Sequence, residues 1–292
     1  MSPKRILLGS VALLVAALAG LAWFVAALGP LPPADAIETS TVIVDHEGRL
    51  LRPYATAEGR WRLPATVDDV DPRFIDLLLS YEDKRFRGHG GIDTLAMLRA
   101  AWLLASNGRI VSGGSTVTMQ IARLLEPRSE RTLAAKLRQM VRAVQLERAH
   151  TKDEILSIYL TLAPYGGNLE GIRAATLSYF GKEPRRLTLP EMALLVALPQ
   201  SPETRRPDRA PEIAQRARDR VLDRAAGAGL FPDDEIALAK REPVPTARKP
   251  MPMLAPHAAD QALLASPGKT IHRLTIEAPL QKALEALARA RA

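Results

Sequence analysis

The amino-terminal part of the chain carries one long hydrophobic run. Residues 6–28 are almost entirely Leu, Ala, Val, Gly and aromatic residues, and no charged residue occurs from Ile6 to Ala34. A helix of about 20 apolar residues is long enough to cross the hydrocarbon core of a bilayer. Lys4 and Arg5 precede the run, so the positive-inside rule places residues 1–5 in the cytoplasm and predicts a transmembrane helix over 6–28.

A cleavable signal peptide is the alternative interpretation of this run, because Ala17-Leu18-Ala19 offers a small-x-small cleavage site. The run is longer than the usual signal core of about 7–15 residues, which favours a membrane anchor. Under either interpretation, the chain from Asp35 onward lies outside the cytoplasm.

Helical periodicity dominates the middle of the chain. Asp71-Pro72 provides an N-cap followed by proline, and apolar residues from Phe74 to Tyr81 recur at helical spacing. This pattern predicts a helix that runs into Glu82. Capping boxes of the form Thr-x-x-Glu predict the starts of two more helices, at Thr151–Glu154 and at Thr188–Glu191. Three others are predicted, over about 93–105, over 116–125 and over the segment with the apolar stripe Leu133, Leu137, Met140 and Val144.

β structure is predicted on both sides of the helical region. Residues 41–53 alternate β-branched and polar residues around His46-Glu47-Gly48, which is typical of a hairpin, and 269–277 is strand-like. The chain is therefore expected to be mainly α with a small β element. The expected order is a cytoplasmic end 1–5, a transmembrane helix 6–28, a β hairpin and linker 35–55, a helical domain 56–240, a Pro-rich linker 241–268 and a terminal region 269–292.

Composition limits the chemistry that the chain can perform. It has no cysteine, which excludes disulfides, cysteine-ligated zinc, iron–sulfur clusters and thiol catalysis. The net charge is +8, which suggests an anionic partner such as nucleic acid, acidic lipid or a phosphorylated substrate. The hydrophobic run places the domain outside the cytoplasm and so argues against nucleic acid.

The first candidate site lies where the helix over 72–82 meets a glycine-rich loop. Glu82 and Asp83 are followed by His89, Asp93 and the glycines 88, 90 and 91. A carboxylate at the end of an apolar helix can be partly buried and still face a cleft, which suits a general base. Solvated charges at a helix end are the alternative interpretation.

The second candidate site is the segment Ser112-Gly113-Gly114-Ser115-Thr116, which precedes a predicted helix. Exposed backbone amides at a helix start favour anions, although a plain N-cap explains the same spacing. Basic residues follow that could converge on a diphosphate or form a solvated face. They are Arg123, Arg131, Lys136 and Arg138. Ser266-x-x-Lys269 has the spacing of a penicillin-reactive motif but lacks its companion elements, so we interpret it as chance.

Taken in order over about 70–205, these segments resemble the glycosyltransferase family 51 domain of class A penicillin-binding proteins. Five ordered motifs at compatible spacing make the resemblance specific. They are Glu82-Asp83-x-x-Phe86-x-x-His89-x-Gly91-x-Asp93, Gly113-Gly114-Ser115-Thr116-x-Thr118-x-Gln120, Lys136-x-x-Gln139, Lys152-x-Glu154-Ile155-Leu156-x-x-Tyr159-Leu160, and Tyr179-Phe180-Gly181-Lys182 with Pro199-Gln200-Ser201-Pro202. The residues within and around these motifs are most similar to those of the penicillin-binding protein 1C branch.

The resemblance implies a lysozyme-like helical domain at the outer face of the cytoplasmic (inner) membrane. The implied reaction polymerises lipid II into glycan strands, with inversion at the anomeric carbon and release of undecaprenyl diphosphate. Glu82 matches the general base, and Lys136 matches a lysine that stabilises the leaving diphosphate. The resemblance assigns further substrate or diphosphate contacts to Asp83, Ser115, Thr116, Gln120, Arg123, Arg131, Arg138 and Gln139. The implied partners are lipid II, the growing glycan chain, the membrane and other cell-wall synthases.

Departures from the family pattern leave two alternatives open. Gln139 stands where the family has a second glutamate, so a divalent cation bridging the diphosphate is doubtful and no cofactor is expected with certainty. The chain ends where a transpeptidase domain is expected to start, so we expect no transpeptidase activity. A non-catalytic scaffold that binds lipid II is one alternative function, and a lytic hydrolase on the same fold is the other.

Overall fold

The computed structural model describes residues 3–31, 37–107, 114–126 and 132–291. The described helices are α1 (Pro3–Ala27), α2 (Pro72–Glu82), α3 (Thr94–Asn107), α4 (Val117–Leu125), α5 (Leu133–Ala149), α6 (Lys152–Leu162), α7 (Ile172–Phe180), α8 (Leu189–Ala197), α9 (Pro211–Gly227), α10 (Asp233–Arg241), α11 (Pro256–Ala265) and α12 (Ala278–Arg291). The strands are β1 (Val42–Val44), β2 (Leu50–Pro53), β3 (Trp61–Arg62), β4 (Leu169–Glu170) and β5 (Ile271–Arg273). The expected mainly helical fold with a small β element is confirmed.

The helix starts predicted from the sequence are present. Asp71 caps α2, and its carboxylate accepts a hydrogen bond from the Arg73 amide. At α6, Thr151 Oγ1 accepts from the Glu154 amide and the Glu154 carboxylate accepts from the Thr151 amide, which completes the capping box. These local contacts satisfy backbone donors that the first turn of a helix leaves free, so the short polar motifs fix where the helices begin.

Helix α8 is the centre of the hydrophobic core. Leu189 and Pro190 and all residues from Met192 to Ala197 are buried. A helix that is apolar on every side has to be surrounded by other elements. Helices α2, α9 and α10 pack against α8, and a neighbouring layer consists of α4 packed on α5 and α6. The carboxyl end of α2 and the start of α4 therefore lie on a rigid base.

The apolar stripe predicted along α5 is not the buried face of that helix. Leu133 is 91% exposed and Leu137 is also exposed. The buried residues of α5 are Ala135, Arg142, Ala143 and Leu146. The close packing of α5 on α4 explains the difference, because small residues such as Ala135 and Ala143 let two helix backbones approach where leucine would not fit.

Strands from the two sides of the helical region meet in one small sheet with the order β2-β1-β5. β1 and β2 form the predicted antiparallel hairpin, and β5 adds to β1 in parallel. Asp45 in the hairpin turn is fully buried and accepts hydrogen bonds from the amides of Glu47, Arg49 and Ala278. The Ala278 contact joins the start of α12 to the hairpin, so the terminal region 269–292 is integrated with residues near the other end of the chain.

Helix α1 overlaps the predicted membrane span 6–28. In the described part of the chain, no helix combines the length and the apolar character required to cross a membrane. The side chains of residues 6–8, 11, 14, 17, 18 and 21 lie outside this description, so the predicted span is covered only in part. The transmembrane helix is not confirmed and stays a prediction.

Arg142 of α5 holds the chain just after α1. Its guanidinium donates to the carbonyl oxygens of Leu28, Gly29 and Pro30 at 2.8, 2.9 and 3.2 Å. Glu126 accepts from the same guanidinium at 2.6 Å. Because arginine has only donors, it can satisfy several carbonyl oxygens left free where a helix ends. The segment after α1 is thereby fixed to the helical domain.

Candidate active site

A cavity of about 970 Å³ opens where the end of α2, the start of α4, and parts of α3 and α9 meet. Six of the ten site residues predicted from the sequence line it, namely Glu82, Asp83, Ser115, Thr116, Gln120 and Arg123. The volume is large enough for a substrate of several sugar rings. The structure therefore brings the first two motifs of the sequence to one cleft.

Glu82 is the last residue of α2, and both of its carboxylate oxygens accept a hydrogen bond from a neutral amide. Gln120 Nε2 donates to Oε2 at 2.8 Å, and Gln200 Nε2 donates to Oε1 at 2.7 Å. Among the described residues, no Lys, Arg or His nitrogen lies within ion-pair distance of the Glu82 carboxylate. A carboxylate held in place and left unpaired in a cleft can accept a proton from a bound hydroxyl group.

The charge of Glu82 also affects the pKa of the buried Tyr159. Tyr159 on α6 is fully buried, and burial together with the nearby Glu82 charge raises the pKa of its hydroxyl well above the ordinary value. Tyr159 therefore stays neutral at any physiological pH.

Asp83 points into the protein and organises the site from beneath. It is 7% exposed, and both of its oxygens lie 3.0 Å from His89 Nε2. One of them also accepts from the Val117 amide at 3.0 Å, at the start of α4. A carboxylate at a helix start is stabilised by the free amides and by the helix dipole. Its hydrogen bonds are satisfied within the protein, and its predicted substrate contact stays a prediction.

Thr116 has a similar internal role as the N-cap of α4. It is 2% exposed, accepts from the Met119 amide at 3.1 Å and donates to the Gly91 carbonyl oxygen at 2.7 Å. The second contact ties the second motif to the glycine loop of the first. Asp83 and Thr116 together set the position of α4, and hence the position of Gln120 one turn further along.

Lys152 ties the glycine loop to α5 and α6. Its ammonium group donates to the His89 carbonyl oxygen and to Glu147, both at 2.7 Å, and lies 4.4 Å from the centre of the Phe86 ring. Glu147 also accepts from Thr118 at 2.7 Å. These contacts explain structurally why the resembling motifs contain Phe86, Thr118 and Lys152, and they reveal Glu147, which the sequence reasoning missed.

Of the predicted basic residues, Arg123 lines the cavity and Lys136 lies close to Arg123. Lys136 Nζ donates to Ser115 Oγ at 2.5 Å, which places α5 against the start of α4. Burial and the charge of Arg123 lower the pKa of Lys136. Two cations that repel each other in a partly buried site gain most from a bound anion, because it relieves both burial and repulsion. This pair fits a phosphate-bearing ligand.

The other predicted basic and amide residues are placed differently. Arg138 and Gln139 line a small void of about 20 Å³ next to Arg123, together with Glu126 and Arg142. The Nε and one terminal nitrogen of Arg138 are buried and have no hydrogen-bond partner there. Arg131 lies outside the described residues, as do Ser112 and Gly113.

Several residues of the cavity were not singled out from the sequence. Lys84, Arg85, Arg99 and Arg224 add positive charge to its lining. Arg85 is paired with Asp93, whereas Arg224 stacks over the Tyr81 ring at 4.6 Å. Arg224 comes from α9, and no local pattern links it to the first motif. Gln200 belongs to a motif quoted above, but only the fold shows that it reaches Glu82.

A metal site is not formed by the residues that the structure describes. They contain no group of three or more His, Asp or Glu side chains arranged to hold a metal ion. Gln139, at the position where the family has glutamate, supplies an amide where a carboxylate would be the stronger ligand.

Comparison with known proteins identifies a family and several relatives of this chain. The family described as Transglycosylase matches residues 47–226. Penicillin-binding protein 1C of Escherichia coli is 43% identical over 91% of this chain and 34% of its own length. Penicillin-binding protein 1A of Haemophilus influenzae is 38% identical over 63% of this chain and 22% of its own length. The chain thus spans about a third of the length of the first relative and less than a quarter of the length of the second.

Proposed function

The chain belongs to the transglycosylase family, and on that premise we propose that it is a peptidoglycan glycosyltransferase that polymerises lipid II into glycan strands. In this reaction the 4-hydroxyl group of one lipid II attacks the anomeric carbon of the growing chain. The bond to undecaprenyl diphosphate breaks, and the configuration at the anomeric carbon inverts. Membership of the family confirms the resemblance seen in the sequence motifs.

The observation that carries the proposal is the environment of Glu82. Its carboxylate faces a cavity of about 970 Å³, is oriented by Gln120 and Gln200, and has no paired cation among the described residues. In the proposed step, Glu82 takes the proton from the attacking hydroxyl group as the new glycosidic bond forms. Removal of this proton prevents a positive charge from building up on the hydroxyl oxygen as it bonds to the anomeric carbon.

Arg123 and Lys136 would act on the leaving group. Charge accumulates on the diphosphate as the glycosidic bond breaks, and fixed cations at that point stabilise the transition state more than the ground state. The lowered pKa of Lys136 reflects burial and the neighbouring Arg123 charge, and a bound diphosphate would offset both. Arg131, Arg138 and Gln139 are proposed as further diphosphate contacts.

An apolar helix face beside the cavity fits a substrate with a lipid tail. Leu95, Leu98 and Trp102 of α3 are 62%, 67% and 73% exposed, and they follow one another at helical spacing. Ala96 and Arg99 of the same helix line the cavity. Large exposed apolar surfaces usually contact a membrane or another protein. We therefore propose that the site works at the outer face of the cytoplasmic membrane, with residues 6–28 as its anchor.

A polymerisation assay tests the proposed activity. Purified chain in detergent is incubated with labelled lipid II, and the glycan products are separated by length. We expect polymer from the unaltered chain, with Glu82→Gln slower by roughly 10²–10⁴-fold because the amide cannot accept the proton. Glu212→Gln on the exposed start of α9 is the matched control and should keep full activity. Equal polymerisation by Glu82→Gln would overturn the assignment of the base.

The same preparation separates the alternative functions. Binding of lipid II without any polymer would point to the non-catalytic scaffold. Release of muropeptides from intact sacculi, without any need for a lipid diphosphate, would point to a lytic hydrolase. Resistance of the protein to alkaline extraction from membranes, lost when residues 6–28 are deleted, tests the proposed anchor.

A further inference from the structure

We propose that Gln200, backed by Arg205, is a positioning residue that fixes the Glu82 carboxylate for proton transfer. The inference rests on the proposed function and adds to it a residue that acts through the base. Gln200 ends a short 3-10 turn, Leu198–Gln200, that follows α8 directly. Its Nε2 lies 2.7 Å from Glu82 Oε1, although the two residues are 118 positions apart in the chain.

Arg205 determines which way the Gln200 amide faces. Its guanidinium donates to Gln200 Oε1 at 3.1 Å and to the Ala197 carbonyl oxygen at 2.6 Å. A guanidinium has donors only, so the oxygen of the Gln200 amide must face Arg205. The amide nitrogen is then left to face Glu82. A flipped amide would place two oxygens against each other and lose both hydrogen bonds.

The backbone that carries Gln200 is rigid. Leu198 and Pro199 are buried in the core, and every residue of α8 except Glu191 is buried. Gln200 itself is exposed at the cavity wall. Its side chain therefore extends from a fixed backbone into the cleft, where its position is set by Arg205 and Glu82.

The consequence for Glu82 is a fixed carboxylate plane with neutral neighbours. Gln120 holds one oxygen and Gln200 holds the other. Each oxygen keeps a further lone pair that can accept the proton of a bound hydroxyl group. The positive charge of Arg205 is kept one side chain away, so it orients the carboxylate without forming an ion pair with it. A direct ion pair would favour the charged carboxylate and weaken it as a base.

The test compares three variants of the full chain in the lipid II polymerisation assay. Gln200→Met keeps the length of the side chain and removes its donor. Gln200→Lys restores a donor that carries a charge. Gln215→Met, on an exposed position of α9, is the matched control for the Gln-to-Met exchange. Thermal unfolding is measured for all of them, and because Gln200 is exposed we expect no loss of folding.

Gln200→Met should lower kcat by roughly 10- to 100-fold at unchanged KM, because Glu82 loses a hydrogen bond that positions it for the chemical step while no substrate contact is removed. Gln200→Lys should recover part of kcat, and its charge should move the acid limb of the pH–activity profile to lower pH. A purely structural role would leave that limb in place. Gln215→Met should match the unaltered chain.

Three results would overturn the inference. One is a kcat of Gln200→Met equal to that of Gln215→Met, and another is a loss that appears in KM alone. The third is a loss of kcat in Gln200→Lys as deep as in Gln200→Met, with the acid limb unmoved. Failure of the unaltered chain to make polymer is a different outcome, since it refutes the proposed function and not the role of Gln200.

Discussion

Among the three glycines of the loop after α2, only Gly91 needs to be glycine, and exchanging each for alanine tests this. Gly91 has a φ of +91°, a conformation that residues with a side chain rarely adopt. A Cβ atom added there would lie 2.6 Å from the carbonyl oxygen of Ala143 on α5. At Gly88 and Gly90 the same atom would meet nothing within 4 Å, and neither has a positive φ.

The expected cost at Gly91 follows from these two features. The strained backbone costs about 1–3 kcal/mol, and pushing the loop away from a helix backbone that cannot yield costs about 1–3 kcal/mol more. The sum of about 2–6 kcal/mol corresponds to a lowering of Tm by roughly 5–20 °C for a domain of this size. At Gly88 and Gly90 alanine should change the stability by no more than about 1 kcal/mol.

Activity should fall together with stability at Gly91. Its carbonyl oxygen accepts from Thr116 and its amide donates to His89 Nδ1, so a displaced loop disturbs the N-cap of α4 and the partner of Asp83. Calorimetry and the polymerisation assay at a temperature where every variant is folded measure the two effects separately. If Gly91→Ala unfolds at the same temperature as Gly90→Ala, the inferred close contact between Gly91 and α5 is refuted.

Three further predictions concern contacts made by Asp45, Tyr54 and Arg142. Burial would raise the pKa of Asp45, but hydrogen bonds from Ala278, Arg49 and Glu47 hold it well below its ordinary value of 3.8. The stability that ionised Asp45 contributes should be complete above pH 3.8 and be lost as the pH falls below it. The acid-induced drop in Tm should therefore be smaller in Asp45→Asn than in the unaltered chain. Parallel curves of Tm against pH would contradict this. Burial and a hydrogen bond to Asp260 raise the pKa of Tyr54 from 10.0 to about 12, so the neutral hydroxyl stabilises the fold below pH 10 and this contribution is lost between pH 10 and 12. The Tm of the unaltered chain should therefore fall more steeply in that interval than the Tm of Tyr54→Phe, and equal slopes would exclude the contact. Arg142→Met removes three hydrogen bonds to the segment after α1, and limited proteolysis should cut residues 28–31 faster than in the control Arg148→Met, whose exposed side chain lies on the same helix.

Local sequence signals predicted the parts of this fold that depend on near neighbours in the chain. Asp71 before Pro72 and Thr151 before Glu154 act within one helical turn, so their spacing alone fixes the helix starts. The hairpin formed by β1 and β2 is local in the same sense. Its pairing with β5 joins Val42 to Ile271, and no short-range pattern specifies that partner.

The same distinction applies to the site. The motif around Glu82 and the motif ending in Gln120 were recognisable separately, and the cavity brings both together. Their pattern did not show that Asp83 turns inward to His89 and the Val117 amide, because burial of a side chain depends on what packs over it. The apolar stripe on α5 indicated the helix correctly, but it is not the buried face of that helix, because burial depends on which elements pack against it.

The distribution of charge connects the composition of the chain to the proposed reaction. Several cations are paired with carboxylates, as in Arg85 with Asp93 and Lys152 with Glu147. Arg123 and Lys136 form no ion pair with any residue that the structure describes. Arg123 lines the cavity that Glu82 faces, and Lys136 contacts Ser115, which also lines it. A cation in contact with Glu82 would weaken the base, and a carboxylate in contact with Lys136 would occupy the place of the diphosphate. Amide groups at Glu82 and a hydroxyl group at Lys136 avoid both, so one cleft can accept a proton at one point and stabilise a leaving anion at another.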